Sequence, residues 1–324
     1  MYDILFAPFE DYIGGLSNIT VVPDQSAQEI PLGILARPAP SMDPKLGAGY
    51  GDFRFLGLTH ALRLVPSPRT FVQLRTAPPG VEGRDGFVGF GDPVLEGESG
   101  GSRNNVTRAA INNSTGLADP TVVKKAFERL PVTAKEVNEM AKIAPPEERQ
   151  ILLQGQATEA AAKDVDYQGT GVIAFSTHAI VSGAFDNLNE PALILTPPAE
   201  ATERDDGLLT VSEIAQLDLN AEIVVLAACN TASASGRPGA PGLSGLASGF
   251  FRAGAQSLVV SHWTILSQTP FLLMPRFLTL AAGDTNVSPA EALRISMVEV
   301  ANDDRLANLS HPALWGAFSL VGAR

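Results

Sequence analysis

Short apolar runs rich in β-branched residues alternate along this chain with segments of helical spacing. The alternation predicts an α/β fold with a mostly parallel sheet, because parallel strands must be joined by long crossovers that are usually helical. Helical spacing occurs at residues 121–143, 157–165, 210–217, 242–254 and 288–302. Strands are predicted at residues 18–23, 61–66, 86–91, 150–154, 171–177, 222–228, 257–262 and 317–322.

Two of the predicted helices begin with a capping-box pattern, in which Ser or Thr is followed three residues later by Glu. The pairs are Thr210 with Glu213 and Ser288 with Glu291. Each pair predicts that a helix starts at that point of the chain.

Polar segments rich in Gly or Pro separate the predicted elements and are expected to form loops. Residues 96–116 contain many Gly, Asn and Ser residues and few apolar ones, so we predict a flexible loop there. This loop divides a single domain, residues 1–324, into an N-terminal portion, 1–95, and a C-terminal portion, 117–324. Other loops are expected at residues 36–51, 196–207 and 233–242.

The composition limits what could hold the fold together. With 324 residues and 45% hydrophobic composition, the chain can bury a large core without disulfides or a structural metal. Its single cysteine excludes an internal disulfide, and its four histidines show no metal-ligand spacing. The acidic segments 186–190 and 203–206 are interpreted as solvated loops. No metal is therefore expected. No phosphate-binding glycine motif occurs either, so no nucleotide cofactor is expected.

Charge and hydropathy bear on partners and location. The net charge of −12 disfavours nucleic acid and anionic membranes as partners. No run of about 18 apolar residues is present, and the first residues lack the pattern of a signal peptide. The chain is therefore expected to be cytoplasmic, where a free thiol stays reduced.

The single thiol, Cys229, and one imidazole, His178, both follow predicted strands. They are 51 residues apart, which is room for one crossover containing the helix predicted at 210–217. A right-handed parallel connection would place both residues at the same edge of the sheet, where α/β proteins bind ligands. A thiol needs a nearby base because it is mostly protonated at neutral pH, and an imidazole can take that proton. The spacing therefore indicates a candidate catalytic dyad.

Each residue also has a simpler interpretation. A lone cysteine at the end of an apolar strand is often a small buried hydrophobe. A histidine after a strand is often a hydrogen-bonded loop residue. The coincidence of both residues at matching strand ends favours the dyad.

Several segments, in order, resemble the CHAT family of caspase-like cysteine peptidases. The C-terminal portion contributes GVIAFSTHAIVSG, EIVVLAACNTA, GLSGLASGFFRAGAQSLVVSHW and HPALWGAFSLVG. Earlier segments also fit, namely ITVVPDQSAQEIPLGIL, LRLVPSPRTFVQL and FVGFGDPVL. The resemblance covers nearly the whole chain and implies a caspase-like three-layer α/β/α sandwich with a mostly parallel central sheet.

The resemblance also implies roles for individual residues. His178 corresponds to the general base or acid and Cys229 to the nucleophile, and a caspase-type histidine about 50 residues before the cysteine agrees with this. Backbone N–H groups of Ala179 and Cys229 correspond to the oxyanion hole. The chain departs from the family pattern at Ala179, where the family has Gly, at Ala227, where it has Ser, and at Ser267, where it has Asp.

Further residues are candidates for the substrate pocket. Asp92 follows the strand predicted at 86–91 and could supply negative charge for a basic P1 residue, with capping of the following turn as the alternative. Asp186 is a second candidate for the same charge. Ser261, His262 and Trp263 are expected to line the pocket wall, although His262 also fits a structural role.

Two functions remain open at this point. The first is a cysteine endopeptidase acting on protein substrates. The second is an inactive caspase-like scaffold, for which Ala179 is the main argument. Family members commonly follow tetratricopeptide repeats, and this chain contains no 34-residue helical repeat. We therefore expect it to be cut from a longer protein and to be regulated by an N-terminal repeat region or an activator protein.

Overall fold

The computed structural model describes residues 1–24, 27, 30–37, 50, 53–76, 84–97, 116–183, 185, 188–227, 244–263, 268–282, 287–303 and 311–322. Cys229, Asp186 and Ser267 lie outside these residues, as does most of the loop predicted at 96–116. The strands are β1 (Asn18–Val21), β2 (Ala36–Arg37), β3 (Arg54–Phe55), β4 (Ala61–Leu64), β5 (Gly86–Gly91), β6 (Arg149–Leu153), β7 (Thr170–Ser176), β8 (His178–Ile180), β9 (Ala192–Ile194), β10 (Leu208–Thr210), β11 (Ile223–Leu226), β12 (Ser257–Ser261) and β13 (Phe318–Gly322).

Eight of these strands form one central sheet in the order β1-β4-β13-β12-β11-β7-β5-β6. Every neighbouring pair is parallel except β12 with β13. Each of the eight strands predicted from the sequence corresponds to one strand of this sheet, so the mostly parallel α/β fold is confirmed. Their apolar runs were readable because both faces of the sheet are covered, and such strands are apolar along their whole length.

The α-helices in the described residues are α1 (Tyr2–Leu5), α2 (Glu10–Ile13), α3 (Leu56–Thr59), α4 (Pro68–Thr76), α5 (Pro120–Ala126), α6 (Val132–Met140), α7 (Glu159–Asp164), α8 (Val211–Ile214), α9 (Ser244–Arg252), α10 (Gln268–Ala282), α11 (Pro289–Ala301) and α12 (Pro312–Trp315). Short 3-10 turns occur at Ala7–Phe9, Leu32–Ile34, Ala141–Ile143, Pro146–Glu148 and Gln154–Gln156.

Two cores lie on opposite faces of the central sheet. One face packs Phe90, Phe175 and Leu226 against α8 and α9, including the buried Phe250. The other face packs Phe87 against α6, α10 and α11. Successive residues of β5 alternate between the two cores, as the pleat of a strand requires. Two helical layers therefore cover one sheet, which confirms the predicted α/β/α sandwich.

The helix starts agree with the capping patterns. Thr210 accepts from the Glu213 backbone N–H, and the Glu213 side chain accepts from the Thr210 backbone, which is a complete capping box before α8. Ser288 accepts from the Glu291 backbone N–H at the start of α11. The stretch 121–143, in contrast, does not form one helix. It divides into α5 and α6 with an irregular segment between them.

A second, antiparallel sheet of three strands, β10-β9-β8, lies at the end of β7. It packs on a small core of its own that includes Leu95, Val123 and Phe185. The sequence did not predict this sheet. It matters because β8 begins at His178, so the candidate catalytic imidazole belongs to a strand of this sheet.

Candidate active site

Three strand ends meet where the sequence predicts the dyad. Strand β7 lies between β5 and β11, parallel to both, with Ser176 paired to Gly91 and Phe175 paired to Leu226. The residues that follow these strands, Asp92, Thr177 and Ala227, are therefore placed side by side at one edge of the sheet. Ala227 is the last described residue before Cys229, which lies two positions further along the chain.

His178 is held from several directions. It is 6% exposed, and its backbone pairs with Ile194 of β9. The preceding Thr177 hydroxyl donates to the Ile194 carbonyl, which fixes the turn from β7 into β8. The ring lies 5.3 Å from the ring of Phe127, at an interplanar angle of 38°. These contacts limit the orientations that the imidazole can adopt.

A backbone carbonyl sets the tautomer of His178. Its Nε2 lies 2.8 Å from the carbonyl oxygen of Glu128. A carbonyl only accepts hydrogen bonds, so the proton of the neutral imidazole is on Nε2 and the basic lone pair is on Nδ1. His178 can therefore act as a base through Nδ1 while Nε2 is anchored.

Asp92 occupies a strained and buried position directly after β5. It is 1% exposed and has a φ of 49°, which is uncommon for a residue other than Gly. Both carboxylate oxygens accept from Arg129, whose Nε and Nη2 lie 2.8 and 2.7 Å away. These hydrogen bonds raise the pKa of Arg129 above its usual value. The partner of Asp92 is thus a guanidinium group rather than the amides of the following turn.

The candidates for the pocket wall, Ser261, His262 and Trp263, are buried or hydrogen-bonded to other parts of the chain. Ser261 is fully buried within β12. The Nε2 atom of His262 lies 2.8 Å from the Ser319 hydroxyl, and the Trp263 indole N–H donates to the Ala313 carbonyl at 3.1 Å. These contacts suit a structural role for His262 and Trp263.

Ala179 has an ordinary backbone conformation. Among the described residues, the non-glycine residues with positive φ are Asp92, Gln154 and Asn220, and Ala179 is not one of them. Ala179 pairs with Leu193 within β8 and β9. Replacing a family Gly by Ala therefore introduces no left-handed backbone at this position.

Sequence reasoning missed the segment Phe127–Arg129, which contacts both His178 and Asp92. The segment lies inside the stretch predicted to be helical. Pro131 was the available signal, because a proline disfavours helix at the residue before it and often marks a helix boundary.

Within the described residues, no group of three or more His, Cys, Asp or Glu side chains is arranged to hold a metal ion. The described helices also include none that is both long enough and apolar enough to cross a membrane.

Comparisons of the sequence with known proteins found a matching family model and a relative of known name. A family model described as "CHAT domain" matches residues 1–323. Tetratricopeptide repeat protein 28 of Mus musculus is 30% identical over 118 residues, which are 36% of this chain and 4% of that protein. The chain therefore spans a small fraction of the length of this relative.

Two solved structures are similar to this chain at low sequence identity. One is the Arg-specific cysteine proteinase gingipain R (RGPB), with a TM-score of 0.48 and 11% identity, covering 98% of this chain and 65% of that chain. The other is the complex of Porphyromonas gingivalis RgpB pro- and mature domains, with a TM-score of 0.46 and 8% identity, covering 98% and 66%. The chain spans just under two thirds of each of these chains.

Proposed function

Because the chain belongs to the CHAT domain family, we propose that it is a cysteine endopeptidase that hydrolyses peptide bonds in protein substrates through His178 and Cys229. The observation that carries the proposal is the arrangement of neighbouring parallel strands. His178 follows β7, and the chain leaves the adjacent β11 toward Cys229.

The proposed chemistry uses the tautomer of His178. Nδ1 takes the proton of the Cys229 thiol, and the thiolate attacks the carbonyl carbon of the scissile peptide bond. The backbone N–H groups of Ala179 and Cys229 stabilise the tetrahedral oxyanion. His178 then returns the proton to the leaving amine, and water hydrolyses the thioester to release the second product and the free thiol.

Two observations support this role over a purely structural one. The His178 ring is anchored through Nε2, so the basic nitrogen is the other one. Ala179 is not among the described residues with positive φ, so backbone strain at this position is not an argument for the inactive scaffold. The scaffold remains the outcome against which the proposal is tested.

The residue preceding the scissile bond is a finer part of the proposal. A basic P1 side chain would need an acidic partner in the pocket. A substrate arginine could reach the Asp92 carboxylate only by displacing Arg129. We therefore base the preference for a basic P1 residue on Asp186, which lies outside the described residues.

We further propose that a tetratricopeptide-repeat region regulates the peptidase. The mouse relative that shares 30% identity over 118 residues carries this repeat in its name. Such a region, added as a separate polypeptide, is expected to change the rate at which Cys229 is labelled.

The first test labels the single thiol with peptidyl chloromethyl ketones carrying Arg or Asp at P1. Mass spectrometry of the wild type should show one adduct that disappears in Cys229→Ala and forms far more slowly in His178→Ala. His60→Ala is a control, because His60 precedes β4 and its Nδ1 lies near the Thr59 hydroxyl. The faster of the two ketones identifies the P1 preference.

A second measurement tests the dyad without assuming any substrate. Since Cys229 is the only cysteine, the rate of its alkylation by iodoacetamide reports the thiolate fraction at each pH. The wild type should show an apparent thiol pKa below about 8.5, and His178→Ala should return it toward about 8.5. Identical profiles in the two proteins would contradict the peptidase and favour the scaffold.

A further inference from the structure

A chain of contacts links the buried Asp92 to His178 through the segment Phe127–Arg129, and the proposed mechanism uses only its last contact, between Glu128 and His178. We propose that Arg129, held in place by Asp92, is a positioning residue that fixes the Glu128 carbonyl and thereby orients the His178 imidazole. This inference rests on the proposed function and adds a specific role to a pair of residues outside the dyad.

The first step is the anchor. The Arg129 guanidinium makes two parallel hydrogen bonds to Asp92, and the Asp92 side chain is 2% exposed, whereas that of Arg129 is 44% exposed. A buried carboxylate without a partner is costly, so Asp92 strongly favours the conformation in which Arg129 stays bound. The planar, two-pronged contact also fixes the direction from which Arg129 approaches.

The second step is the peptide bond that joins Glu128 to Arg129. The Glu128 carbonyl and the Arg129 amide belong to one planar peptide unit, so the Arg129 Cα lies in the same plane as the Glu128 oxygen. A shift of the Arg129 backbone therefore moves the oxygen that accepts from His178 Nε2, which is 2.8 Å away. Phe127, on the other side of Glu128, contacts the imidazole ring directly.

The third step is that the segment is fixed on both sides. The Gly97 backbone N–H donates to the Phe127 carbonyl at 2.8 Å. The Asp92 N–H donates to the Thr133 hydroxyl at 2.8 Å, and this hydroxyl donates to the Leu130 carbonyl at 2.7 Å. Asp92 thus binds Arg129 of the segment through its side chain, and its backbone N–H is linked through the Thr133 hydroxyl to Leu130, the residue that follows the segment.

The same geometry allows an opposite interpretation, in which Arg129 occupies a pocket meant for a substrate arginine. The two interpretations predict opposite changes in the rate at which a P1-Arg probe labels Cys229 when Arg129 is removed. Removing an intramolecular blocker would speed the reaction with a P1-Arg probe, whereas removing a positioning residue slows labelling with every probe. The sign of the effect therefore decides between them.

The experiment compares Arg129→Ala, Arg129→Lys and Asp92→Asn with the control Arg276→Ala. Arg276 is a matched control, because it makes the same bidentate pair with Glu299 at 2.8 and 2.8 Å on α10 and α11. Arg129→Ala should lower the labelling rate of Cys229 about 10- to 100-fold with P1-Arg and P1-Asp ketones alike, the scale of a displacement of about 1 Å in a catalytic group. Arg129→Lys, which keeps the charge and loses the planar fork, should recover only part of the rate.

Added guanidinium chloride at millimolar concentration should restore part of the labelling rate of Arg129→Ala and leave the wild type and Arg276→Ala unchanged. Circular dichroism of each variant verifies that it is folded. Provided that His178→Ala slows labelling of the wild type, a rate for Arg129→Ala equal to that of the wild type, or higher with the P1-Arg ketone, would overturn the proposal.

A spectroscopic readout separates this inference from the peptidase itself. In ¹⁵N NMR spectra, the His178 resonances, assigned by comparison with His178→Ala, should show the Nε2–H tautomer in the wild type. In Arg129→Ala they should move toward an average of the two tautomers. If the tautomer is unchanged in Arg129→Ala, the positioning role is wrong whether or not the chain cleaves peptides. If it changes while alkylation of Cys229 is the same in the wild type and His178→Ala, the positioning role stands and the peptidase fails.

Discussion

At the scale of single residues, Glu136 carries a carboxyl group that is buried in α6, the helix that packs on β5 and β7. It lies on α6, is 3% exposed, and shares the inner face of the helix with Val137 and Met140. Burial raises the pKa of Glu136 to about 7, because a charged carboxylate loses its hydration there. The folded chain therefore binds a proton that the unfolded chain has already released near pH 5.

This predicts a pH-dependent stability that Glu136 controls. Because the folded pKa is raised, the free energy of unfolding falls as pH rises from about 4.5 to about 7, by up to about 3 kcal/mol. Glu136→Gln removes the titration, so the variant should be more stable than the wild type at pH 8 and nearly equal to it at pH 4.5. Urea unfolding at several pH values measures this, with the exposed Glu147→Gln as control. An unchanged pH dependence in Glu136→Gln would show that another group is responsible.

The sequence indicated His178 and Asp92 as site candidates, but it did not indicate Arg129, which binds Asp92. His178 and Asp92 were identified because each follows an apolar run that ends at the sheet edge. Arg129 was not identified, because its contact with Asp92 joins residues 37 apart and depends on how α5 and α6 are placed. Nothing local in a sequence distinguishes an arginine that reaches a buried carboxylate from one that points into water.

At the scale of secondary-structure elements, a charged network joins α7 to the turn before β10 and to α8. Lys163 Nζ lies 2.6 Å from Glu159 and 2.8 Å from Glu213, and it donates to the Arg204 carbonyl at 2.9 Å. The other oxygen of Glu159 accepts from the backbone N–H groups of Asp206 and Gly207. Burial raises the pKa of Glu159, against the opposing effect of the Lys163 ammonium.

The interpretation of residues 203–206 as a solvated loop is therefore wrong in part. Asp206 accepts from the backbone N–H groups of Ala118 and Leu208, and Asp205 accepts from Gly207. These carboxylates accept hydrogen bonds from backbone N–H groups of a turn that packs against the protein. A run of acidic residues in a sequence does not reveal such hydrogen bonds. The turn leads into β10, which belongs to the same sheet as β8 and His178.

We predict that Lys163→Met destabilises the fold by about 2 kcal/mol, because it leaves the buried Glu159 carboxylate without its cation. This predicted loss of stability is smaller than that expected for breaking a fully buried ion pair, because the Lys163 side chain is 19% exposed. Lys142→Met is the matched control, because its pair with Glu139 is exposed, and it should cost less than about 0.5 kcal/mol. Thermal unfolding of both variants measures the difference.

The double variant Lys163→Met with Glu159→Gln should recover part of the stability lost in Lys163→Met, because the unpaired charge is then gone. If the double variant is less stable than Lys163→Met alone, the buried charge is not the cause of the loss.

Two physical reasons account for the elements that the sequence missed. Strands β8, β9 and β10 have three residues each, too few for an alternating pattern, and they are defined by pairing with one another. Helix α10 is the longest described helix, yet it contains Pro275, which normally marks a helix end. Long apolar strands are readable from the sequence because burial on both faces dictates their composition, whereas three-residue strands and a helix with an internal proline depend on tertiary contacts.

At the scale of the whole molecule, the central sheet mixes strands from both portions of the chain. The N-terminal portion supplies β1 and β4 at one side of the sheet and β5 near the other, with β13, β12, β11 and β7 between them. Strands β4 and β13 are neighbours although they come from the two portions. The division at 96–116 therefore separates the sequence without separating the sheet.

We predict that the described fold unfolds as one cooperative unit and that cutting the chain between the two portions does not release them. A protease site inserted within residues 98–115 and cleaved should leave two fragments that elute together in size-exclusion chromatography. The reason is that neither fragment retains all the neighbours of its own strands, and exposing paired strand edges and their apolar faces is unfavourable.

Urea unfolding provides the second measurement. The fluorescence of Trp263 and Trp315, both in the C-terminal portion, should report the same midpoint as circular dichroism of the whole chain. The same insertion left uncleaved is the control for the effect of the inserted residues. Separate midpoints in the uncut chain, or fragments that elute apart after cleavage without denaturant, would show that the two portions fold independently. The strand order argues against that outcome, because β5 can reach its neighbours β6 and β7 only when both portions are folded together.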